Sequence, residues 1–349
     1  MTSPPKKSDQ KRLSRVTLKD ISQASGLAIS TVSNALSGGG TVREETRKRL
    51  LKVADELGYR TSSLARSLRT GKTGSIGMLV ADIASPYYAE VIRGAEDYLL
   101  ERDYILLVGN TDHDATRELN YVNHFIDRHV EGIILAPHSM YSKSLDLIDS
   151  HGPPVCLFNR NHEKMTYDIV GADFQAATRA ALEHLWSLGH RNIAFTMGSL
   201  TSSVNMERLA TVRFFLSEKG APEDSVIVRH SRYSVEVGQE LARELMRSRP
   251  NLTAIMTAQD TVAIGVIIAL QEMGLRVPED VSVIGFDDIF PAALPQIRLT
   301  TLKVPQRLLG RLAAETVLQR IENPRAYIKN IRITPELAIR GSTGPAPAK

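Results

Sequence analysis

The sequence has a single cysteine, few aromatic residues and no long apolar run. Because Cys156 is alone, an internal disulfide is excluded, and its apolar neighbours predict a buried, inert thiol. No apolar run approaches the length of a membrane-spanning helix, and the polar residues 1–9 lack the apolar region of a signal peptide. We therefore expect a protein of the reducing cytoplasm.

Motifs of catalysis and metal binding are also missing from the sequence. It has no glycine-rich phosphate loop, no cluster of metal ligands and no serine in the sharp strand-to-helix turn of hydrolases. His184 and His190 fall in one segment that indicates a helix end rather than a metal site or a catalytic triad. We expect no enzyme activity, no cofactor and no bound metal.

Positive charge is concentrated at the start of the chain. Residues 1–75 hold 15 Lys and Arg against 6 Asp and Glu, a net charge of +9, whereas the remainder carries a net −5. A basic tail in solvent explains residues 1–15, but not the basic residues set among helical patterns between 43 and 72. This asymmetry favours a polyanionic partner at one end of the protein. The length of 349 residues predicts a small domain plus a larger one.

Three short helices are predicted within the basic region. Residues 16–24 have an apolar helical face, and Thr17 with Asp20 has the spacing of a capping box. A glycine turn at Gly26 separates them from a second helix, 29–36, and a third helix runs roughly over 44–57. This order is typical of a helix-turn-helix DNA-binding domain. The second helix leaves three side chains facing outward, those of Ile29, Ser30 and Asn34.

Several segments in and after this region follow a known pattern: Val16-Thr17-Leu18-Lys19-Asp20, Gly26, Thr31-Val32-Ser33, Glu45-Thr46-Arg47, Glu56-Leu57-Gly58-Tyr59, Leu64 to Thr73 and Ser75-Ile76-Gly77. In these segments the chain resembles the headpiece and hinge of the lactose-repressor (LacI/GalR) family, and the resemblance extends to about residue 340. The resemblance implies a bacterial regulator that is associated with the nucleoid. It would have a disordered basic tail at 1–15, a helix-turn-helix domain at 16–59 and a hinge at 60–74. The residues expected to contact DNA are Thr17, Ile29, Ser30, Thr31, Ser33, Asn34, Tyr59, Ala65, Arg66 and Leu68.

Leu68 has a particular role in that expectation. In the family, a leucine at its position wedges between two base steps in the minor groove, and the bent duplex then permits further contacts. An ordinary amphipathic linker helix is the alternative interpretation of the hinge. The hinge departs from the family pattern, because Thr61-Ser62-Ser63 stands where relatives usually carry Pro-Asn. Without the proline, we expect folding of the hinge to depend more on DNA.

From Ser75 onward, short apolar strands alternate with amphipathic helices, which predicts parallel sheets built from βαβ units. About ten such units are too many for one compact sheet, so we predict two doubly wound lobes with a ligand cleft at the carboxyl ends of their strands. The resemblance adds a fold like that of periplasmic sugar-binding proteins over 75–341. It places the first lobe at about 75–171 plus 301–332 and the second at about 172–300 plus 333–341. Residues 342–349 should be a disordered tail.

Polar residues at the ends of the predicted strands are the candidates for binding an effector. Amides, carboxylates and guanidinium groups at fixed positions give directed hydrogen bonds to a polyhydroxylated or anionic ligand. The strand ends supply Asn159, Arg160, Gln259 and Asp287, and the resemblance adds Arg208. A Pro-aromatic-aromatic motif adds Tyr87 and Tyr88, whose rings line the pocket in the family.

Several of these assignments have structural alternatives. The carboxylates of Asp173, Asp260 and Asp288 fit helix caps or turns as well as ligand contacts. Tyr88 fits the core, and Arg208 fits a solvated helix surface. Two departures from the family leave the ligand class open: Gln259 stands for a usual asparagine, and Phe174 replaces an asparagine.

Taken together, these features predict a DNA-binding transcriptional regulator, more specifically a repressor, that responds to a small molecule. A sugar or sugar acid is the expected effector, and a nucleobase or nucleoside is the alternative. One short recognition helix makes few base contacts, so we expect a homodimer on a near-palindromic operator. An enzyme and an exported transport protein are the rival interpretations, and neither explains a basic helix-turn-helix.

Overall fold

The chain divides into two compact units, Met1–Thr73 and Gly74–Lys349. The computed structural model describes residues 16–36, 42–59, 72–139, 141–160 and 166–348. The predicted tail 1–15 and most of the predicted hinge therefore lie outside the described residues.

The first unit contains the three predicted helices, α1 (Leu18–Ser25), α2 (Ile29–Leu36) and α3 (Glu44–Glu56). The backbone N–H of Thr17 donates to the Asp20 carboxylate at 2.7 Å, so the predicted interaction at the start of α1 is present. Gly26 ends α1 with a φ of 71°, a backbone conformation that glycine adopts without strain. Five fully or nearly buried side chains form the small core of this unit: Ile21, Val32, Ala35, Leu50 and Ala54.

The second unit alternates strands and helices, as predicted. In chain order its elements are β1 (Ser75–Val80), α4 (Pro86–Leu100), β2 (Ile105–Asn110), α5 (Ala115–Asp127), β3 (Gly132–Leu135), α6 (Lys143–His151), β4 (Val155–Phe158), β5 (Asp168–Ala172), α7 (Phe174–Ser187), β6 (Ile193–Met197), α8 (Ser203–Glu218), β7 (Val226–His230), α9 (Val235–Ser248), β8 (Ala254–Thr257), α10 (Asp260–Glu272), β9 (Ser282–Asp287), β10 (Thr300–Lys303), α11 (Gln306–Glu322), β11 (Asn330–Ile333) and β12 (Glu336–Ala338).

These strands form two sheets within the described part of the unit. The first sheet has the order β11-β5-β4-β3-β1-β2, and the second has the order β12-β10-β9-β8-β6-β7. All pairings are parallel except that of β12 with β10. The central strands are buried from end to end, as expected of sheets with helices on both faces. The two predicted α/β lobes are therefore confirmed.

The chain passes between the lobes at three places: before α7, between β10 and α11, and between β11 and β12. The second of these differs from the prediction, which returned the chain to the first lobe at residue 301. Thr300 to Lys303 pair in parallel with β9, from Ile284 to Asp287, so β10 belongs to the second lobe. The chain therefore re-enters the first lobe only at α11, because the backbone of β10 is hydrogen-bonded to β9 in the sheet of the second lobe.

Helix α11 completes the first lobe by packing on α4. Two glycines permit this contact: a Cβ at Gly94 would collide with the carbonyl group of Arg307, and a Cβ at Gly310 would collide with that of Val91. The two helix backbones therefore approach each other closely, and a larger residue at either position would force them apart.

The prediction of a disordered tail at 342–349 is wrong for its first part. Ser342 is 1% exposed, and its hydroxyl accepts from Thr300 N at 2.8 Å and donates to Val283 O at 2.6 Å. Further on, the Gly344 carbonyl oxygen bonds to His190 Nε2 at 3.0 Å. The backbone groups of this segment, which is rich in glycine, proline and alanine, find partners that composition does not indicate.

Candidate functional site

The predicted DNA-reading side chains lie on one face of α2. Ile29, Ser30 and Asn34 are exposed, while Thr31 and Ser33 are half-buried beside the inward-facing Val32 and Ala35. Ile29 is 47% exposed although it is a large apolar residue. An apolar side chain and an amide on an exposed helix face match the thymine methyl group and the edge of adenine in a major groove.

The other predicted DNA contacts have different surroundings. Thr17 is exposed at the start of α1, and Tyr59 is half-buried against the core of the headpiece. Tyr59 is thus at least partly a packing residue. Ala65, Arg66 and Leu68 lie outside the described residues, so the wedge role of Leu68 stays a prediction.

In the second unit, Asn159 connects β4 with α4 through Tyr87. The Asn159 amide donates to the Tyr87 hydroxyl at 2.6 Å, and its oxygen accepts from Ala172 N at 3.0 Å. Asn159 has a φ of 55°, which is uncommon outside glycine and is tolerated by asparagine. The end of β4 is therefore held in a fixed conformation that presents Asn159 and the following Arg160. Tyr88 is 7% exposed, and its ring packs edge-on against Tyr87 at 5.2 Å.

Arg208 is the most enclosed charged group of the predicted set. It is 4% exposed, so a solvated helix residue is excluded. Its guanidinium carbon lies 4.9 Å from the centre of the Phe174 ring and 4.6 Å from that of Phe286. The two rings stack on each other at 5.6 Å.

The guanidinium group of Arg208 also makes two long hydrogen bonds within the second lobe. They run to Asn205 Oδ1 at 3.3 Å and to Ala258 O at 3.4 Å, whereas Nε is buried without a partner. The guanidinium group is thus held in place by its neighbours, while its Nε–H donor has no acceptor. Gln259, the next predicted ligand residue, is half-buried immediately after Ala258.

Asp287 ends β9 in an unusual environment. It is 7% exposed and has a φ of 116°, a conformation that costs energy for a residue other than glycine. The side-chain amide of Gln306 donates to its carbonyl oxygen. Burial raises the pKa of Asp287 well above its ordinary value, the charge of Asp260 adds to this, and Arg208 opposes it. These influences favour the neutral form of the carboxyl group, which can donate a hydrogen bond.

The pKa values of several of these groups depend on one another. Burial raises the pKa of Tyr87 most strongly, and the charge of Asp287 raises it further. Burial lowers the pKa of Arg208, and among the charges acting on it are those of Asp287, Arg160 and Tyr87. Tyr87 and Arg160 belong to the first lobe, whereas Arg208 and Asp287 belong to the second, so the candidate site draws on both lobes.

Three carboxylates for which a structural role was the alternative do have structural partners. Asp173 accepts from Ala176 N at 2.9 Å and so caps α7. Asp288 forms an ion pair with Arg340 at 2.6 Å. Asp260, which is fully buried, accepts from the Thr301 hydroxyl at 2.5 Å and from a backbone N–H of the loop after β9.

Two aromatic residues at the site were missed by the sequence analysis. Tyr233, in the loop before α9, accepts from Gly198 N at 2.8 Å, and its ring lies 6.0 Å from that of His113, which belongs to the first lobe. Burial lowers the pKa of His113, and the positive charge of Arg160 contributes. Tyr233 follows the end of β7, so the strand-end rule applied to Asn159 would have found it.

Neither a metal centre nor a membrane helix is found among the described residues. No group of three or more His, Cys, Asp and Glu side chains in this part of the chain is arranged to hold a metal ion. No helix that the structure describes is both long enough and apolar enough to cross a membrane. His184 and His190 bond instead to the C-terminal segment, at Thr343 and Gly344.

Comparisons with known proteins agree with this geometry. Residues 17–62 match the model of bacterial regulatory proteins of the lacI family, and residues 182–343 match a periplasmic binding protein-like domain. The HTH-type transcriptional regulator DegA of Bacillus subtilis is 31% identical over 336 residues, which are 95% of this chain and 99% of the relative. The ribose operon repressor of Haemophilus influenzae is 31% identical over 93% of this chain and 98% of its own length.

A solved structure extends the agreement to the fold of the second unit. A LacI family transcriptional regulator from Enterococcus faecium with bound ribose superposes with a TM-score of 0.70 at 28% identity. The match covers 78% of this chain and 99% of that one. With the helix-turn-helix, the two lobes and relatives matched over nearly their whole length, the chain belongs to the LacI family of bacterial transcriptional regulators.

Proposed function

We propose that the chain represses transcription by binding a near-palindromic operator as a homodimer, and that a sugar-class effector in the cleft changes its affinity for DNA. Two groups of residues carry out these two roles. Ile29, Ser30 and Asn34 read the major groove from α2. The effector site consists of Tyr87, Tyr88, Asn159, Arg160, Arg208, Gln259 and Asp287, to which we add Tyr233.

The observation that carries the effector site is the enclosed guanidinium group of Arg208. A buried cation with an unused N–H donor is costly unless a ligand provides an acceptor. Around it lie hydroxyl, amide and carboxyl groups of the kind that orient a sugar. Ribose bound to the Enterococcus faecium relative and the name of the Haemophilus influenzae relative support the same ligand class. A nucleobase or nucleoside is the alternative.

Closure of the cleft would be the switch. A ligand that contacts groups from both lobes favours one angle between them, and allostery requires such a difference in contacts between two states. The first lobe receives the chain from the hinge at Gly74, whose N–H donates to the Glu131 carboxylate at 2.7 Å. The point where the hinge enters is therefore fixed to the first lobe and would move with it.

Catalysis is not part of the proposal. The relatives are named as transcriptional regulators and not as enzymes, and no role in the proposed site requires a cofactor or a metal. The protein would act in the cytoplasm, where it has access to the DNA of the nucleoid.

The test is a titration of fluorescent operator DNA, taken from upstream of the protein's own gene, with and without candidate effectors. Arg208→Ala should remove the response to effector while operator affinity without effector stays near wild type. Arg213→Ala, an exposed position on the same helix, is the matched control and should respond normally. A normal response of the Arg208 variant would place the pocket elsewhere, and a failure of the wild type to bind DNA would refute repression itself.

A further inference from the structure

The cleft contains two positive charges that are not paired with a carboxylate. Arg208 is 4% exposed, Arg160 is half-buried, and the Nε atoms of both are buried without a partner. Arg160 makes one marginal hydrogen bond, to the carbonyl oxygen of Asn159 at 3.5 Å. Within the described parts of the chain, neither guanidinium group forms an ion pair.

Two other poorly exposed arginines among the described residues, Arg320 and Arg340, are paired. The side chain of Arg320 is 16% exposed and binds both oxygens of Asp168 at 2.8 Å. The side chain of Arg340 is 23% exposed and pairs with Asp288 at 2.6 Å. Removing a charge from water is costly, and a bidentate carboxylate offsets the cost. Arg160 and Arg208 thus differ from Arg320 and Arg340, because no carboxylate among the described residues pairs with them.

The carboxyl groups of Asp287 and Glu207 both interact electrostatically with Arg208. The neutral form of Asp287 is favoured, because burial and the neighbouring Asp260 both raise its pKa. Burial also raises the pKa of Glu207, and the positive charge that lowers it most is that of Arg332 rather than that of Arg208. Burial thus weakens the negative charge that these two carboxyl groups offer to the arginines.

The two guanidinium groups come from different lobes and are close enough to influence each other electrostatically. Arg160 follows β4 of the first lobe, Arg208 lies on α8 of the second, and the positive charge of Arg160 lowers the pKa of Arg208. Stacked rings hold the guanidinium group of Arg208 from one side, at 4.6 and 4.9 Å. Mutual repulsion holds such groups apart until an anion lies between them.

We propose that the effector carries a carboxylate or phosphate group, which Arg160 and Arg208 bind together from the two lobes. This inference rests on the proposed function, in which the cleft is the effector site. Hydroxyls of the same ligand would meet Tyr87, Asn159 and Tyr233, so the favoured class is a sugar acid or sugar phosphate rather than a neutral sugar. The anion would also draw the lobes together, because each lobe supplies one of its ligands.

The test compares acidic and neutral ligands of matched shape on the full-length protein. Melting temperature and operator affinity are measured with glucuronate against glucose, galacturonate against galactose, and ribose 5-phosphate against ribose, at constant ionic strength in potassium chloride. At least one acid should raise the melting temperature and change operator affinity, while its neutral partner does neither at tenfold higher concentration. Success with the sugar phosphate or with the sugar acids identifies the source of the anion.

Variants of Arg160 connect the effect to this site. Arg160→Met should weaken binding of the acid at least tenfold, and Arg160→Lys, which keeps the charge but not the fork, should weaken it less. Arg325→Met, an exposed position in the turn after α11, is the control and should bind as wild type does. The proposal is overturned if a neutral sugar binds as tightly as its acid, or if Arg160→Met keeps the preference.

If no compound of the panel binds, the melting temperature is measured with inorganic phosphate as a simple anionic probe. A phosphate-specific rise in melting temperature that Arg160→Met abolishes supports the anion site, and the absence of any rise in the wild type overturns it. Operator binding measured in the same samples is independent of this outcome. A protein that binds its operator but ignores every anion thus refutes the anion site alone, and one that binds no DNA refutes the proposed function.

Discussion

Phe174→Leu tests whether the stacked rings position Arg208. Leucine keeps most of the buried apolar volume but removes the ring that stacks on Phe286 at 5.6 Å and faces the Arg208 guanidinium carbon at 4.9 Å. An aromatic pair contributes about 0.5–1.5 kcal/mol beyond burial, and a partly desolvated cation–π contact contributes about 0.5–2 kcal/mol. We therefore expect the free energy of unfolding to fall by about 1–3 kcal/mol.

A double-mutant cycle isolates the part that belongs to the arginine. Urea unfolding is measured for Phe174→Leu, Arg208→Met and the double variant, and the coupling energy should be about 0.5–2 kcal/mol. Phe215→Leu is the control, because it also removes a buried ring, one that packs at 5.5 Å against the half-buried Trp186. Phe215 lies about two turns after Arg208 on α8. Its effect should add to that of Arg208→Met to within about 0.5 kcal/mol.

Effector binding then separates positioning from stability. If the rings hold the guanidinium group in its binding orientation, Phe174→Leu should weaken effector binding several-fold, whereas Phe215→Leu should leave it unchanged. Additive effects of Phe174→Leu and Arg208→Met, together with unchanged effector binding, would refute the reasoning.

Three further predictions concern other parts of the molecule. Asn34→Ala should cost about 1–3 kcal/mol per half-site and relax one base of the operator; equal losses on all DNA sequences would make Asn34 a phosphate contact. Burial raises the folded-state pKa of Asp260 from 3.8 to about 7, so the folded state binds more protons between these values and stability should fall as pH rises through them, by up to about 4 kcal/mol. Asp260→Asn should flatten this dependence in urea unfolding between pH 5 and 8, and an unchanged slope would contradict the assignment. Truncation after Gly341 should lower stability by about 2–5 kcal/mol through lost backbone and Ser342 hydrogen bonds, each worth about 0.5–1.5 kcal/mol, whereas truncation after Ala346 should have little effect in thermal unfolding.

The parts of the fold that could be predicted from sequence are those built from local patterns. Apolar runs located most of the central strands, and the interaction of Thr17 with Asp20 located the start of α1. Strands β5 and β10 give a weaker signal in the sequence, because their buried residues are partly polar. Asp168 is buried by its ion pair with Arg320, and the Thr301 hydroxyl by its bond to Asp260. Those partners lie far away along the chain, so local periodicity carries no sign of them.

The site was predictable to a similar extent and for similar reasons. Asn159 and Asp287 were found because a parallel strand delivers the residues at its carboxyl end to one edge of the sheet. Gln259 was found by the same rule, but no contact in the described residues distinguishes its side chain as a ligand. His113 was missed because its place in the cleft depends on how the two lobes meet, which no segment of sequence determines alone.

The three passages between the lobes have a consequence for synthesis of the protein. When the ribosome has translated residue 303, the first lobe still lacks α11 and β11. Asp168 then has no Arg320 to pair with, and β5 is an open edge of the sheet. In the complete protein this edge is covered, and Ile169 N donates to Lys329 O. Neither lobe can close until nearly the whole chain has left the ribosome, because the second lobe also waits for β12 and Ser342. Pairings over such separations form slowly. We therefore expect the two lobes to complete their folding only after nearly the whole chain has been synthesised.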